Sequence, residues 1–73
     1  MKELTEKEAN DLSDKATYIK KIYGEGADSL WYKLDDKFIE VWVTRDSSCW
    51  VIGGILYESE QDLESIFVKY QIK

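Results

Sequence analysis

Few residues in this chain have the chemistry to act on a substrate. There is no histidine and a single cysteine, Cys49. Without an imidazole there is no Ser–His or Cys–His nucleophile pair, and the commonest metal ligand is missing. One thiol cannot build a zinc site, and no spacing of Asp and Glu follows a calcium-binding loop. Asp35-Asp36 places two carboxylates side by side as weak ligands for a divalent ion, although a tight turn accounts for both. Glu40 with Asp35 is the carboxylate pair that general acid–base chemistry would use. Gly24-Glu25-Gly26 has two glycines of a phosphate loop, but it follows a helical pattern and lacks the further glycine and lysine. Arg45 and its neighbours form no cationic cluster that would activate Cys49, so small apolar filler or a strand end is the favoured role of that thiol. A chain of 73 residues also leaves little volume for a ligand pocket of ~300 Å³ or more. The expectation is a protein that is not an enzyme, with no catalytic residue, cofactor or metal.

Recognition is better provided for than catalysis. The chain carries three Trp, five Tyr and two Phe, and 15 acidic against 10 basic residues for a net charge of −5. Nucleic-acid binders show a basic track, and the longest cationic run here is Lys20-Lys21, so direct nucleic-acid binding and attraction to an anionic membrane are disfavoured. A partner with a basic surface is favoured electrostatically. Glu58, Glu60, Asp62 and Glu64 form an acidic row. It either complements a helix dipole or mimics phosphates toward a basic groove, and the first reading is the commoner.

The elements that position these residues follow from the patterning. Thr5-Glu6-Lys7-Glu8 matches a capping box, with Leu4 placed to pack on Ala9. Ala9, Leu12, Ala16, Ile19 and Tyr23 then step by three or four residues, which predicts one helix over about 5–23, closed by Gly24. Alternation predicts strands over about 29–34, 38–45 and 49–57, with Asp35-Asp36 as a two-residue turn. Tyr32 then lies opposite Ile39 and Leu30 opposite Val41. In the second hairpin the favoured register sets Trp42 against Gly53, Val43 against Ile52 and Ile39 against Leu56. A one-residue slip would set Trp42 against Ile52, and Gly53-Gly54 marks a bulge or twist that reconciles the two. Ser59 and the acids after it start a closing helix over about 60–70, striped by Leu63, Ile66, Phe67 and Tyr70.

The expected fold is one α+β domain over 1–73, a two-layer sandwich of order α-β-β-β-α with a three-stranded antiparallel meander and two flanking helices. Its core would hold Leu12, Ala16, Ile19, Tyr23, Leu30, Tyr32, Ile39, Val41, Val43, Ile52 and Leu56, with the four stripe residues of the closing helix. With both helices on one face, Trp31, Phe38, Trp42, Val51, Ile55 and Tyr57 remain as an open aromatic patch, the mark of an interface. The alternative sets the helices on opposite faces. The charged N-terminus shows no apolar stretch of a secretory signal, and the lone cysteine suits a reducing compartment, so a cytoplasmic protein is expected.

The function expected is a small acidic protein–protein interaction module, an inhibitor or adaptor, acting through Trp31, Phe38, Trp42, Val51 and Tyr57 with the acidic row. In size, charge and element order the chain is similar to small inhibitors made by phages and mobile elements, DNA-mimic and anti-defence proteins among them. No motif carries that likeness. The alternatives are a homodimer that buries the same face and a small-molecule or peptide binder.

Overall fold

The computed structural model describes residues 1–58. The helix expected over 60–70 lies outside them, together with Glu60, Asp62 and Glu64 of the acidic row.

The described chain is α+β: one helix and five antiparallel strands in a single sheet. In chain order these are β1 (Lys2–Leu4), α1 (Glu6–Lys15), β2 (Thr17–Ile22), β3 (Ala27–Leu34), β4 (Lys37–Thr44) and β5 (Val51–Tyr57). The spatial order β1-β5-β4-β3-β2 keeps β2 through β5 as a meander and returns β1 to the free edge of β5. No helix among the described residues is long and apolar enough to cross a membrane.

The start of α1 forms as its residues dictate. The Thr5 hydroxyl accepts the Glu8 amide at 3.2 Å, and the Glu8 carboxylate accepts the Thr5 amide at 3.0 Å. These bonds satisfy two of the donors a helix start leaves open. Leu4 and Ala9 are both buried in one cluster, as the staple required.

The helix is shorter than expected. It ends at Lys15, Ala16 turns extended (φ −101°, ψ 165°), and Thr17–Ile22 becomes a strand. The stripe that ran on through Ile19 and Tyr23 was a coincidence of spacing. Residues 17–23, TYIKKIY, are rich in β-branched and aromatic types that fit a pleated surface. Their alternation is concealed by a bulge: Tyr18 pairs with Tyr32 and Lys20 with Trp31, leaving Ile19 as the extra residue. The sheet therefore gains a fourth strand where a helical turn was expected. A fifth, β1, is too short and too charged to announce itself.

The meander registers agree with the alternation. Leu30 lies opposite Val41, Tyr32 opposite Ile39, Ile39 opposite Leu56 and Trp42 opposite Gly53. Beyond that pair the register shifts, so Val43 faces Val51 rather than Ile52, and Ile52 is the bulged residue. Val51 is thereby moved to the inner face, where it packs on the main cluster. Ile52 and Tyr23, both expected in the core, are 52% and 75% exposed.

Each face of the sheet has its own apolar cluster. Between α1 and the sheet, Ala9 of the helix packs with Leu4, Ile39, Val41 and Val43, bordered by Leu12, Leu30, Tyr32 and Leu56. On the opposite face Trp31 and Phe38 are buried against Ile19, Ile22 and Tyr57.

Candidate functional site

The aromatic face expected to be open is not open at its centre. Trp31 is 0% and Phe38 3% exposed. Tyr57 stacks on Trp31 with ring centroids 5.4 Å apart and an interplanar angle of 27°. Trp42 is half-buried over Gly53, whose α-carbon is so close that a Cβ there would touch the indole at 3.5 Å. Ile55 is half-buried, and Glu58 is exposed. Of the residues assigned to the patch, Trp31 and Phe38 are core, Val51 belongs to the other face, and Trp42, Ile55 and Tyr57 keep partial access.

A carboxylate sits inside this face. Glu40 is 7% exposed, and it accepts hydrogen bonds from Ser29 Oγ at 2.6 Å and Tyr57 Oη at 2.8 Å. Two hydroxyl donors satisfy a buried carboxylate in part, and they lock the Tyr57 ring onto Trp31. Glu40 does not pair with Asp35. Asp35 occupies the β3–β4 turn with φ 57°, and three residues of strand separate Glu40 from the foot of that turn, roughly 10 Å. Asp35-Asp36 is a turn, as the tight spacing indicated.

The exposed large apolar side chains lie elsewhere, mainly at one end of the sheet. Ala27 pairs with Thr44, so the β2–β3 loop (residues 23–26) and the β4–β5 hairpin loop (residues 45–50) emerge side by side. Tyr23 in the first is 75% exposed, and Trp50 at the base of the second is 64% exposed, followed by Ile52 on the bulge.

The hairpin loop is tightly made. Asp46 Oδ1 accepts from Ser48 Oγ at 2.7 Å, the Ser48 amide at 3.0 Å, Thr44 Oγ1 at 3.1 Å and the Cys49 amide at 3.3 Å. The Ser48 hydroxyl and amide, followed by Thr44, hold the Asp46 carboxyl below its ordinary value. Thr44 then fixes Trp50 from both sides: its Oγ1 accepts the Trp50 amide at 3.0 Å, and its own amide donates to the Trp50 carbonyl at 2.9 Å. Cys49 adopts φ 51°, a left-handed conformation uncommon outside glycine and asparagine. Cys49 is exposed and free, and its Sγ lies 3.5 Å from the Asp46 carbonyl.

Between the two loops lies Asp28, 2% exposed. Its Oδ1 accepts the Gly24 amide at 3.2 Å, Arg45 Nε at 3.2 Å and Arg45 Nη2 at 3.0 Å. Lys21 Nζ lies 3.6 Å from Oδ2, and the same ammonium sits 5.1 Å from the centre of the Tyr23 ring. Burial pushes the Asp28 carboxyl up, but the Gly24 amide, Arg45 and Lys21 outweigh it and hold the group below its usual value.

Sequence reasoning missed this end of the molecule. Asp28 had one usable signal, an acid inside a strand, where Asp is depleted. Trp50 had another: a large aromatic directly after a Ser-rich turn. Comparison of the chain with protein-family models, with curated proteins and with solved structures found no match.

Proposed function

We propose that this protein is a small non-catalytic recognition module, an inhibitor or adaptor, that grips a protein partner with the loop end of its sheet. The observation that carries the reading is Trp50: a large aromatic left 64% exposed by a loop that four hydrogen bonds to one carboxylate make rigid. A solvent-facing Trp whose backbone is already fixed by Thr44 loses less freedom on binding, and Trp is among the residues most enriched at binding hot spots. Tyr23 and Ile52 supply further apolar contact on the same end. The net charge of −5 adds a long-range preference for a partner with a basic surface, expressed mainly in the association rate. A reducing, cytoplasmic setting fits the exposed Cys49 thiol.

The test compares immobilised wild type with Trp50→Ala, after circular dichroism has shown the variant folded. A stoichiometric partner held by wild type should bind the purified variant about 30-fold more weakly, the weight of a hot-spot residue. Equal recovery by both proteins overturns the reading. A wild-type dimer by light scattering that Trp50→Ala dissolves makes the partner a second copy of this chain.

A further inference from the structure

We infer that Asp28 is the positioning residue that joins the β2–β3 loop and the β4–β5 hairpin into one surface, so that Tyr23 and Trp50 move together. The recognition role of that surface rests on the function proposed above. The mechanical coupling does not.

Each loop carries one exposed aromatic, and the two aromatics stand on the outer sides of the loop pair, Tyr23 after β2 and Trp50 before β5. The ends of β2 and β5 are three inter-strand spacings apart, about 14 Å. The connection between them is a chain of charge. The Lys21 ammonium lies over the Tyr23 ring and beside Asp28, Asp28 holds the Gly24 amide, and Arg45 reaches the same carboxylate from the hairpin through two nitrogens. Arg45 is followed directly by Asp46, the residue that organises the turn before Trp50. With both cations in place Asp28 is 2% exposed, so its carboxylate depends on the Gly24 amide, Lys21 and Arg45 rather than on water. A buried acid that loses one partner leaves the others strained by its uncompensated charge, so a change in one loop is felt in the other.

Arg45 allows the test without damage to the core, since its side chain is half-exposed and it touches Asp28 from outside. Hydrogen exchange is measured at single amides in wild type, Arg45→Ala, Arg45→Lys and Asp28→Asn. Arg45→Ala, a change in the hairpin, should speed exchange of the Gly24 amide in the other loop by about threefold or more. Ile39 and Val41 amides should keep their wild-type rates. Arg45→Lys should recover part of the Gly24 protection, because it restores the charge without the paired nitrogens. Asp28→Asn, where it folds, should speed exchange in both loops. Wild-type protection of Gly24 in Arg45→Ala overturns the inference. So does an acceleration spread equally to Ile39 and Val41, which would make the cluster a general stabiliser. The readout needs no partner, so it stands or falls separately from the effect of Trp50→Ala on binding.

Discussion

Single residues decide how closely the sheet can pack. Gly54 lies opposite Val41 on β4, and a Cβ built on it would run into the Glu40 backbone carbonyl. The obstacle is backbone rather than a flexible side-chain tip, so the strand itself would have to move. Gly54→Ala should destabilise the protein by about 3 kcal/mol or more, read from the urea midpoint at unchanged m. The sequence marked Gly53-Gly54 as a bulge or twist; the bulge falls one residue earlier, at Ile52, and Gly54 instead sits in regular pairing where the Glu40 backbone comes close. The sequence offered less on Trp31 and Phe38. Alternation assigned both to the outer face, where they are, but alternation describes a face and not what lies over it. Their burial is a property of the folded molecule that two-residue periodicity does not contain.

At the level of elements, the capping box was legible because its chemistry is local: four consecutive residues hold both reciprocal bonds. Replacing Thr5 with Ala removes one of them and should cost about 1 kcal/mol of stability, measured by thermal or urea unfolding. The far end of the same helix was not legible. Helix and strand patterns over 16–23 share the same apolar residues, and the choice is made by β3, which presents a free edge to Thr17–Ile22. A long-range pairing thus overrode a short-range stripe. The bulge at Ile19 deepened the ambiguity by putting two neighbouring residues out of strict alternation. The β3–β4 hairpin was readable because its connection is two residues and its flanking strands are long, which fixes register through turn and hydrophobic face together. The β4–β5 register was readable only as far as Trp42 opposite Gly53, because the bulge at Ile52 then sets Val43 against Val51.

Over the whole molecule, charge is the property that spans all elements. Among the described residues three carboxyls are held below their ordinary values: Glu8 chiefly by the Thr5 amide, Asp46 chiefly by Ser48, and Asp28, where burial acts the other way and is outweighed by the Gly24 amide and two cations. A depressed folded-state value means that the unfolded chain binds protons first. Each group therefore stabilises the fold above its unfolded value, and that contribution is lost as pH falls through the folded one. Stability should be level from neutral pH down to about pH 4.5 and should decline steeply below about pH 4. Urea midpoints across pH 2–7 check this, and Asp28→Asn should flatten part of the acid limb. The lost end of the curve is where both loops come free, so Trp50 emission should change along with the backbone signal. Net charge and its sign were plain in the sequence. That one buried acid gathers Lys21, Gly24 and Arg45 was not, because Lys21 and Arg45 stand 24 positions apart and the meander brings them together.

Ile52 gives the chain a residue to spare. Trp42 and Val43 are neighbours on β4, yet their partners Gly53 and Val51 are separated by Ile52 on β5. Deleting Ile52 would make those partners adjacent as well, and each would keep its present face. The hairpin can therefore absorb a one-residue deletion that in any uninterrupted strand would exchange inside for outside along its length. The shortened protein should remain folded, with the far-ultraviolet spectrum of wild type and the amides of Ile39 and Val41 still protected. Deletion of Ile55, three positions along the same strand and inside a regular ladder, should unfold it.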